Sequence, residues 1–225
     1  MSAEARRRAY LQALDIDVYT FRGAAAAEED VVAASGADVS ALDWQALEAR
    51  VAACTRCSLH ETRTRTVFGV GHRQADWMII GEAPGQEEDR RGEPFVGRAG
   101  HLLDEMLRAV GLDRQSVFIA NILKCRPPNN RDPSQDEAAS CRDYLDRQIE
   151  LVSPRLILAV GRIAAQHLLG TDAPVGRLRG RRHTLGASAL PVIVTYHPAY
   201  LLRSPSQKRK AWQDLVLARQ SLGEA

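Results

Sequence analysis

Apolar and polar positions change their period several times along the chain. The spacing of Trp44, Leu47 and Val51 marks one helical face, which delivers the chain to Cys54. Ser40, with Asp43 three residues later, predicts a capping box at the start of that helix. Trp77–Ile80 is a short apolar run and reads as a strand. His101–Val110 returns to helical spacing and stops at Gly111. Val117–Leu123 is a second strand. Ser134–Val152 is a helix with a Ser134/Glu137 box, ended before Pro154. Leu156–Val160 is a third strand, Ile163–Leu169 a helix, Val192–Thr195 a fourth strand and Lys208–Leu222 a closing helix.

Strands alternating with helices of this length predict an α/β fold on a mainly parallel, four-stranded sheet. Ligands in such sheets bind beyond the carboxyl ends of the strands. The segments there are Gly81–Gly85, Asn121–Pro128, Gly161-Arg162 and Tyr196-His197-Pro198. They are expected to converge on one crevice. Residues 1–39 read as a poorly ordered appendage: one short helix over Arg7–Leu14, then Ala/Gly-rich stretches with interspersed acids. The folded domain is expected over 40–225, with no internal repeat.

Composition adds constraints. Of 225 residues, 45% are apolar and 26% charged, which suits a soluble domain with a core of useful size. The net charge of +2 announces no polyanionic partner, so the distribution of charge matters more than its sum. No apolar run approaches the roughly 20 residues of a membrane span. Arg6, Arg7 and Arg8 are not followed by an apolar signal-peptide core, because Asp15 and Asp17 interrupt it. The expectation is a cytosolic monomer with no membrane association. In that compartment structural disulfides are rare, so the four cysteines need another explanation.

Cys54 and Cys57 form a C-x-x-C pair, Cys125 follows a strand end, and Cys141 lies on the helix begun at Ser134. A redox pair is disfavoured because Cys54 does not follow a strand. A four-thiolate site remains, and zinc or an iron–sulfur cube both suit the spacing. Either one clamps the segment before the sheet to a loop and a helix.

Four further motifs carry candidate chemistry. Gly81-Glu82-Ala83-Pro84-Gly85 is a Gly-rich turn after a strand. It lacks a following Lys-Ser/Thr, and Glu87, Glu88 and Asp89 repel phosphate, so a neutral heterocycle fits it better. Phe95, between Pro94 and glycine-bounded turns, is either tucked into the core or offers a face for base stacking. Asn121 places a side-chain donor and acceptor at a strand end. His197-Pro198 leads into Leu201 and Leu202, with Arg203, Lys208, Arg209 and Lys210 close behind. Apolar tips amid basic residues suit a wedge into a base stack with phosphate contacts beside it. Arg177, Arg179, Arg181 and Arg182 are a candidate second phosphate surface.

Taken together, Gly81–Gly85, Phe95 with its flanking glycines, Asn121 with Lys124-Cys125-Arg126-Pro127, and His197–Leu202 resemble the family 4 uracil-DNA glycosylases over about residues 40 to 220. The resemblance implies a three-layer α/β/α fold and a structural 4Fe-4S cluster on Cys54, Cys57, Cys125 and Cys141. It implies that Phe95 stacks on a flipped uracil, Asn121 pairs with its edge, and His197 bonds the oxygen that gains charge. Glu82, Ala83 and Gly85 then line the pocket, and Glu88 crowds the pyrimidine 5-position. Leu201, Leu202, Arg203 and Lys208 contact DNA. Another branch of the superfamily carries Asp where this chain has Ala83, so no side chain is expected to act as a strong base, and water is positioned by Asn121. The partner implied is uracil-containing DNA, single- or double-stranded, and the product an abasic site. The alternatives are a non-catalytic iron–sulfur DNA-binding protein, or one that traps uracil-DNA covalently. The trapping branch has a reactive His after the Asn motif, and Arg126–Pro133 contains none.

Overall fold

Asp43 opens the first helix: its carboxylate accepts the Ala46 N–H at 2.8 Å, and α1 runs Trp44–Ala52 in the computed structural model, which describes residues 38–186 and 189–223. Ser40 is not the cap. It sits in a 3₁₀ turn, Val39–Ala41, that has its own cap in Asp38. The helix and linkers read over residues 1–37 lie outside the described residues.

The sheet has six strands: β1 Val70–Gly71, β2 Trp77–Gly81, β3 Phe118–Asn121, β4 Leu156–Val160, β5 Arg182–Leu185 and β6 Leu190–Thr195, in the order β1-β3-β2-β4-β6-β5. The expected four strands are its parallel centre. The two additional ones are antiparallel edges. They escape a periodicity reading because β1 has only two residues and β5 is polar with no buried position.

Eight α-helices lie among the described residues. After α1 come α2 Gln86–Arg91, α3 Arg98–Ala109, α4 Gln135–Val152, α5 Arg162–Leu169, α6 Val175–Leu178, α7 Pro198–Arg203 and α8 Lys208–Ser221. The Ser134/Glu137 capping box is present at the start of α4. Arg131 binds the Glu137 carboxylate and holds it down at about 2, so the loop before α4 is tied to the helix start.

Strand alternation sends side chains to both faces of the sheet. Met78, Ile80, Ile157 and Val194 pack with Leu145 of α4 and Ala164, Ala165 and Leu168 of α5. Trp77, Ile79, Leu158 and Ile193 pack with Leu103 and Leu107 of α3, Leu201 of α7 and Leu215 of α8. The central strands are buried on both faces, as a three-layer α/β/α arrangement requires. A third, smaller cluster sets Leu47 and Val51 of α1 against Phe68 and Tyr144. No helix among the described residues is long and apolar enough to cross a membrane.

Candidate active site

Strand order reverses at β2, which pairs with β3 on one side and β4 on the other. A crevice opens at the carboxyl ends of strands at such a switch point. Here it is a cavity of about 710 Å³, walled by Glu82–Gly85 after β2, Asn121 at the end of β3, Gly161-Arg162 after β4 and Tyr196-His197 after β6. The four segments that the sequence placed beyond strand ends do converge. Glu88, Phe95 and Arg203 complete the wall.

Ladder register puts Gly81 opposite Asn121. A Cβ on Gly81 would stand 2.5 Å from Asn121 Oδ1 and 2.6 Å from Phe95 Cζ. The missing side chain is therefore what lets the ring and the amide meet. Asn121 is 2% exposed, and its Oδ1 has no hydrogen-bond partner among the described residues. Such an orphaned acceptor costs about 1–3 kcal/mol. Its backbone is fixed from behind by Lys124, whose Nζ donates to Asn121 O at 2.8 Å and to Gln148 Oε1 at 2.6 Å. Burial lowers the Lys124 ammonium to about 8.

Phe95 is buried and lies at φ 54°, a left-handed conformation that costs a bulky residue on the order of 1–3 kcal/mol. Its ring centroid is 5.7 Å from that of His197. Glu88 holds the following turn: Oε1 accepts N–H bonds from Val96 at 2.9 Å and Gly97 at 3.0 Å. The other oxygen, Oε2, lies over Gly85, 2.7 Å from where a Cβ there would stand.

His197 caps α7, and its Nδ1 accepts the Ala199 N–H at 3.1 Å. That bond makes Nδ1 the acceptor, so the neutral ring carries its proton on Nε2. Burial, aided by the charge of Arg203 and opposed by Glu88, lowers the imidazole to about 4. The ring therefore stays neutral at physiological pH. Gly161, at φ 98°, leaves room for it: a Cβ there would stand 3.0 Å from His197 Cβ. Glu82 moves the other way. Burial and the charge of Asp132 raise its carboxyl to about 7, against the pull of Arg162.

The outer contacts differ from the expectation in two places. Leu201 is fully buried and packs in the core, so it is not a DNA wedge. Pro198 starts a helix, and successive helical residues point about 100° apart. Leu202 is accordingly exposed, as is Tyr200. Arg203 and Lys208 are exposed. Arg179 is not free for phosphate either: it pairs with Asp214, at 2.8 and 3.0 Å, and Asp214 is completely buried. Arg177, Arg181 and Arg182 of that run remain exposed.

Cys125 and Cys141 are buried, Cys54 and Cys57 partly so, and all four are free thiols. Cys125 feels the charge of Cys141 and Cys57, and Cys141 that of Cys57 and Cys54. Burial pushes the Cys125 thiol up to about 11, although Arg63 Nη1 donates to its Sγ at 3.1 Å. Among the described residues, no three His, Cys, Asp or Glu side chains form a group that could hold a metal ion.

Comparison with known proteins decides the family. Residues 68–216 match the Uracil DNA glycosylase superfamily. The chain belongs to the uracil-DNA glycosylase superfamily. It is 44% identical over 170 residues to a Type-4 uracil-DNA glycosylase of Archaeoglobus fulgidus, covering 73% of this chain and 85% of the relative. Against a Type-4 uracil-DNA glycosylase of Thermotoga maritima the identity is 45% over 161 residues, covering 71% and 83%. A Type-5 uracil-DNA glycosylase of Thermus thermophilus is more distant, at 31% over 120 residues, covering 47% of this chain and 54% of the relative.

Within this superfamily fold, seven of the residues singled out in the sequence line one cavity: Glu82, Ala83, Gly85, Glu88, Phe95, Asn121 and His197. Arg203 joins them at the wall. Sequence reasoning placed Arg162 beyond a strand end but missed Asp132, its ion-pair partner at 2.5 Å on the wall beside Glu82. It also missed Arg114, which binds the Pro94 and Phe95 carbonyls. Neither Asp132 nor Arg114 stands in a motif.

Proposed function

We propose that this uracil-DNA glycosylase superfamily chain flips uracil out of DNA into the cavity and hydrolyses its N-glycosidic bond, leaving an abasic site. The observation that carries the reading is the orphaned Asn121 Oδ1, buried beside the Phe95 ring and among the walls of the cavity that His197 also lines. Uracil supplies the missing donor through its N3–H, and its O4 accepts from the Asn121 amide nitrogen. Cytosine has no N3–H and leaves the acceptor unpaired, a loss worth about 1–3 kcal/mol. Phe95 stacks on the base, and Glu88 crowds its 5-position against thymine.

In the reaction the C1′–N1 bond breaks, and its electron pair leaves with uracil. Negative charge spreads to uracil O2, where the His197 Nε2–H donates. Donors placed where charge develops act most strongly in a water-excluded site. Water then adds to the sugar cation at C1′ and loses a proton. A cation already formed needs no strongly activated nucleophile, so the water only has to be positioned. In this reading no base is required of Glu82, whose carboxyl burial and the charge of Asp132 raise to about 7.

Cys54, Cys57, Cys125 and Cys141 would hold a structural 4Fe-4S cluster. The donor chemistry supports this: four thiols come from three separate segments, Cys57 and Cys141 act on Cys125, Cys54 and Cys57 act on Cys141, and the Arg63 guanidinium and Lys124 ammonium offset thiolate charge, although among the described residues the thiols are not yet gathered into one metal-holding group. When bound, such a cluster supplies a cross-link between those segments. Iron and acid-labile sulfide analysis of purified protein tests this. We place the protein in the cytosol, acting as a monomer on single- or double-stranded DNA.

Incubation with a uracil-containing oligonucleotide, then alkali, tests the function, with a thymine oligonucleotide as control. Scission only at uracil is expected. Binding without base release, or a crosslink that survives a denaturing gel, would overturn the reading.

A further inference from the structure

Four consecutive residues, Pro94 to Gly97, are gripped by two side chains of opposite charge. On one side Glu88 accepts from the N–H groups of Val96 and Gly97. On the other, Arg114 Nη2 donates to the Pro94 carbonyl at 2.6 Å and Nη1 to the Phe95 carbonyl at 3.0 Å. The same Nη1 donates to Asp104 Oδ1 on α3 at 3.0 Å. Arg114 and Asp104 are each about three-quarters buried. Beneath the turn, Gly100 is a glycine because a Cβ there would collide with the Phe95 carbonyl. Charge-assisted bonds of this kind are shorter and stronger than neutral ones. They hold Phe95 in a left-handed conformation that a bulky side chain rarely adopts. That conformation is what lays the ring over Gly81, next to Asn121 and His197.

We propose that Arg114, oriented by Asp104, is a positioning residue for uracil excision: its fork holds the Pro94 and Phe95 carbonyls so that the Phe95 ring stands where the flipped base must stack. This rests on the reading of Phe95 as the stacking platform. A lysine cannot take over the role, because an ammonium lacks the planar fork that reaches two carbonyls and a carboxylate together.

The test is a double-mutant cycle on the full-length protein, with Phe95→Leu, Arg114→Ala and the double variant. The readouts are the single-turnover excision rate at saturating protein, inhibition by free uracil, and affinity for uracil-free duplex. A shift of about 1 Å at a reacting group costs on the order of 10²-fold. Arg114→Ala is therefore expected to slow excision by about 10- to 100-fold and to weaken inhibition by free uracil, with affinity for uracil-free duplex unchanged. In the Phe95→Leu background the same change is expected to cost less than about 3-fold, since residues acting through one contact are not additive. Full additivity would overturn the proposal. So would wild-type excision by Arg114→Ala. If Phe95→Leu alone excises at the wild-type rate, the stacking role of Phe95 fails first and takes the proposal with it. Arg114→Lys keeps the charge and guards against a folding defect. An intermediate loss of rate in a variant that melts like wild type supports the fork; an unchanged rate overturns it.

Discussion

Replacing Gly81 by alanine puts a methyl group between the Phe95 ring, proposed to stack on the base, and the Asn121 amide, proposed to read it. The new Cβ would stand 2.6 Å from Phe95 Cζ and 2.7 Å from Cε2, where ordinary van der Waals contact begins at 3.4 Å, so the ring must retreat by about 0.8 Å. On the other side Asn121 Oδ1 would be 2.5 Å away and must also move. The ring cannot rotate freely, because its turn is held by Arg114 and Glu88. The backbone at Gly81 is ordinary strand, so no strain arises there. Overpacking of a buried site costs about 1–3 kcal/mol, and a misplacement near 1 Å at a reacting group about 10²-fold in rate. Gly81→Ala is expected to fold with a modestly lowered melting temperature and to excise uracil about 100-fold more slowly in single turnover, with uracil-free DNA bound as before. The assay follows alkali-labile scission of a labelled uracil oligonucleotide at excess enzyme. Excision within about 3-fold of wild type would refute the idea that Gly81 sets the placement of Phe95 and Asn121.

Other consequences follow from the same geometry. His197→Ala is expected to lower single-turnover excision by about 10²–10³, the usual cost of losing one donor to a developing anion, and unchanged excision would remove His197 from the mechanism. Because His197 is lowered from 6.5 to about 4 in the folded protein, its contribution to stability is whole above about pH 6.5 and is lost as pH falls toward 4. Chemical denaturation of wild type and His197→Ala across that window should show a smaller decline in the variant. Glu82→Gln is expected to stay within about 10-fold of the wild-type rate, and a rate limb near pH 7 that vanishes in this variant would instead make Glu82 the base. Leu202→Ala should slow excision with stability changed by no more than about 0.5 kcal/mol, whereas Leu201→Ala should cost about 2–5 kcal/mol of stability, read by urea melts. Arg179→Ala strands the buried Asp214 carboxylate and should cost about 3–5 kcal/mol while leaving the salt dependence of DNA binding unchanged.

The four parallel strands were legible because each is a short apolar run buried on both faces, bounded by turns. The edges were not, since β5 reads Arg-His-Thr-Leu and shows no buried alternation. Helix α2 was invisible for a related reason: Gln86–Arg91 is entirely polar, and only Asp89 is buried, tied to the Thr64 and Arg65 N–H groups. Among site residues, those at strand ends were found because strand ends are predictable. Leu201 and Leu202 could not be told apart, because the answer depends on which face of a six-residue helix meets the core. Arg114 gave no signal, since its partners are carbonyls and a distant carboxylate rather than neighbours in sequence.

Pairing of Gly81 with Asn121 is a ladder contact in the middle of the sheet, and it sets the proposed base-reading amide apart in kind from the proposed duplex contact at Leu202. Asn121 belongs to a strand buried from end to end, the class of segment whose amides exchange with solvent only on near-global unfolding. Sliding β3 by one residue would turn that amide to the opposite face of the sheet. Leu202 is exposed on a helix of six residues whose next residue inward, Leu201, is anchored in the core. The group proposed to judge the base is thus clamped within the sheet, while the one proposed to probe the duplex projects into solvent from a short helix.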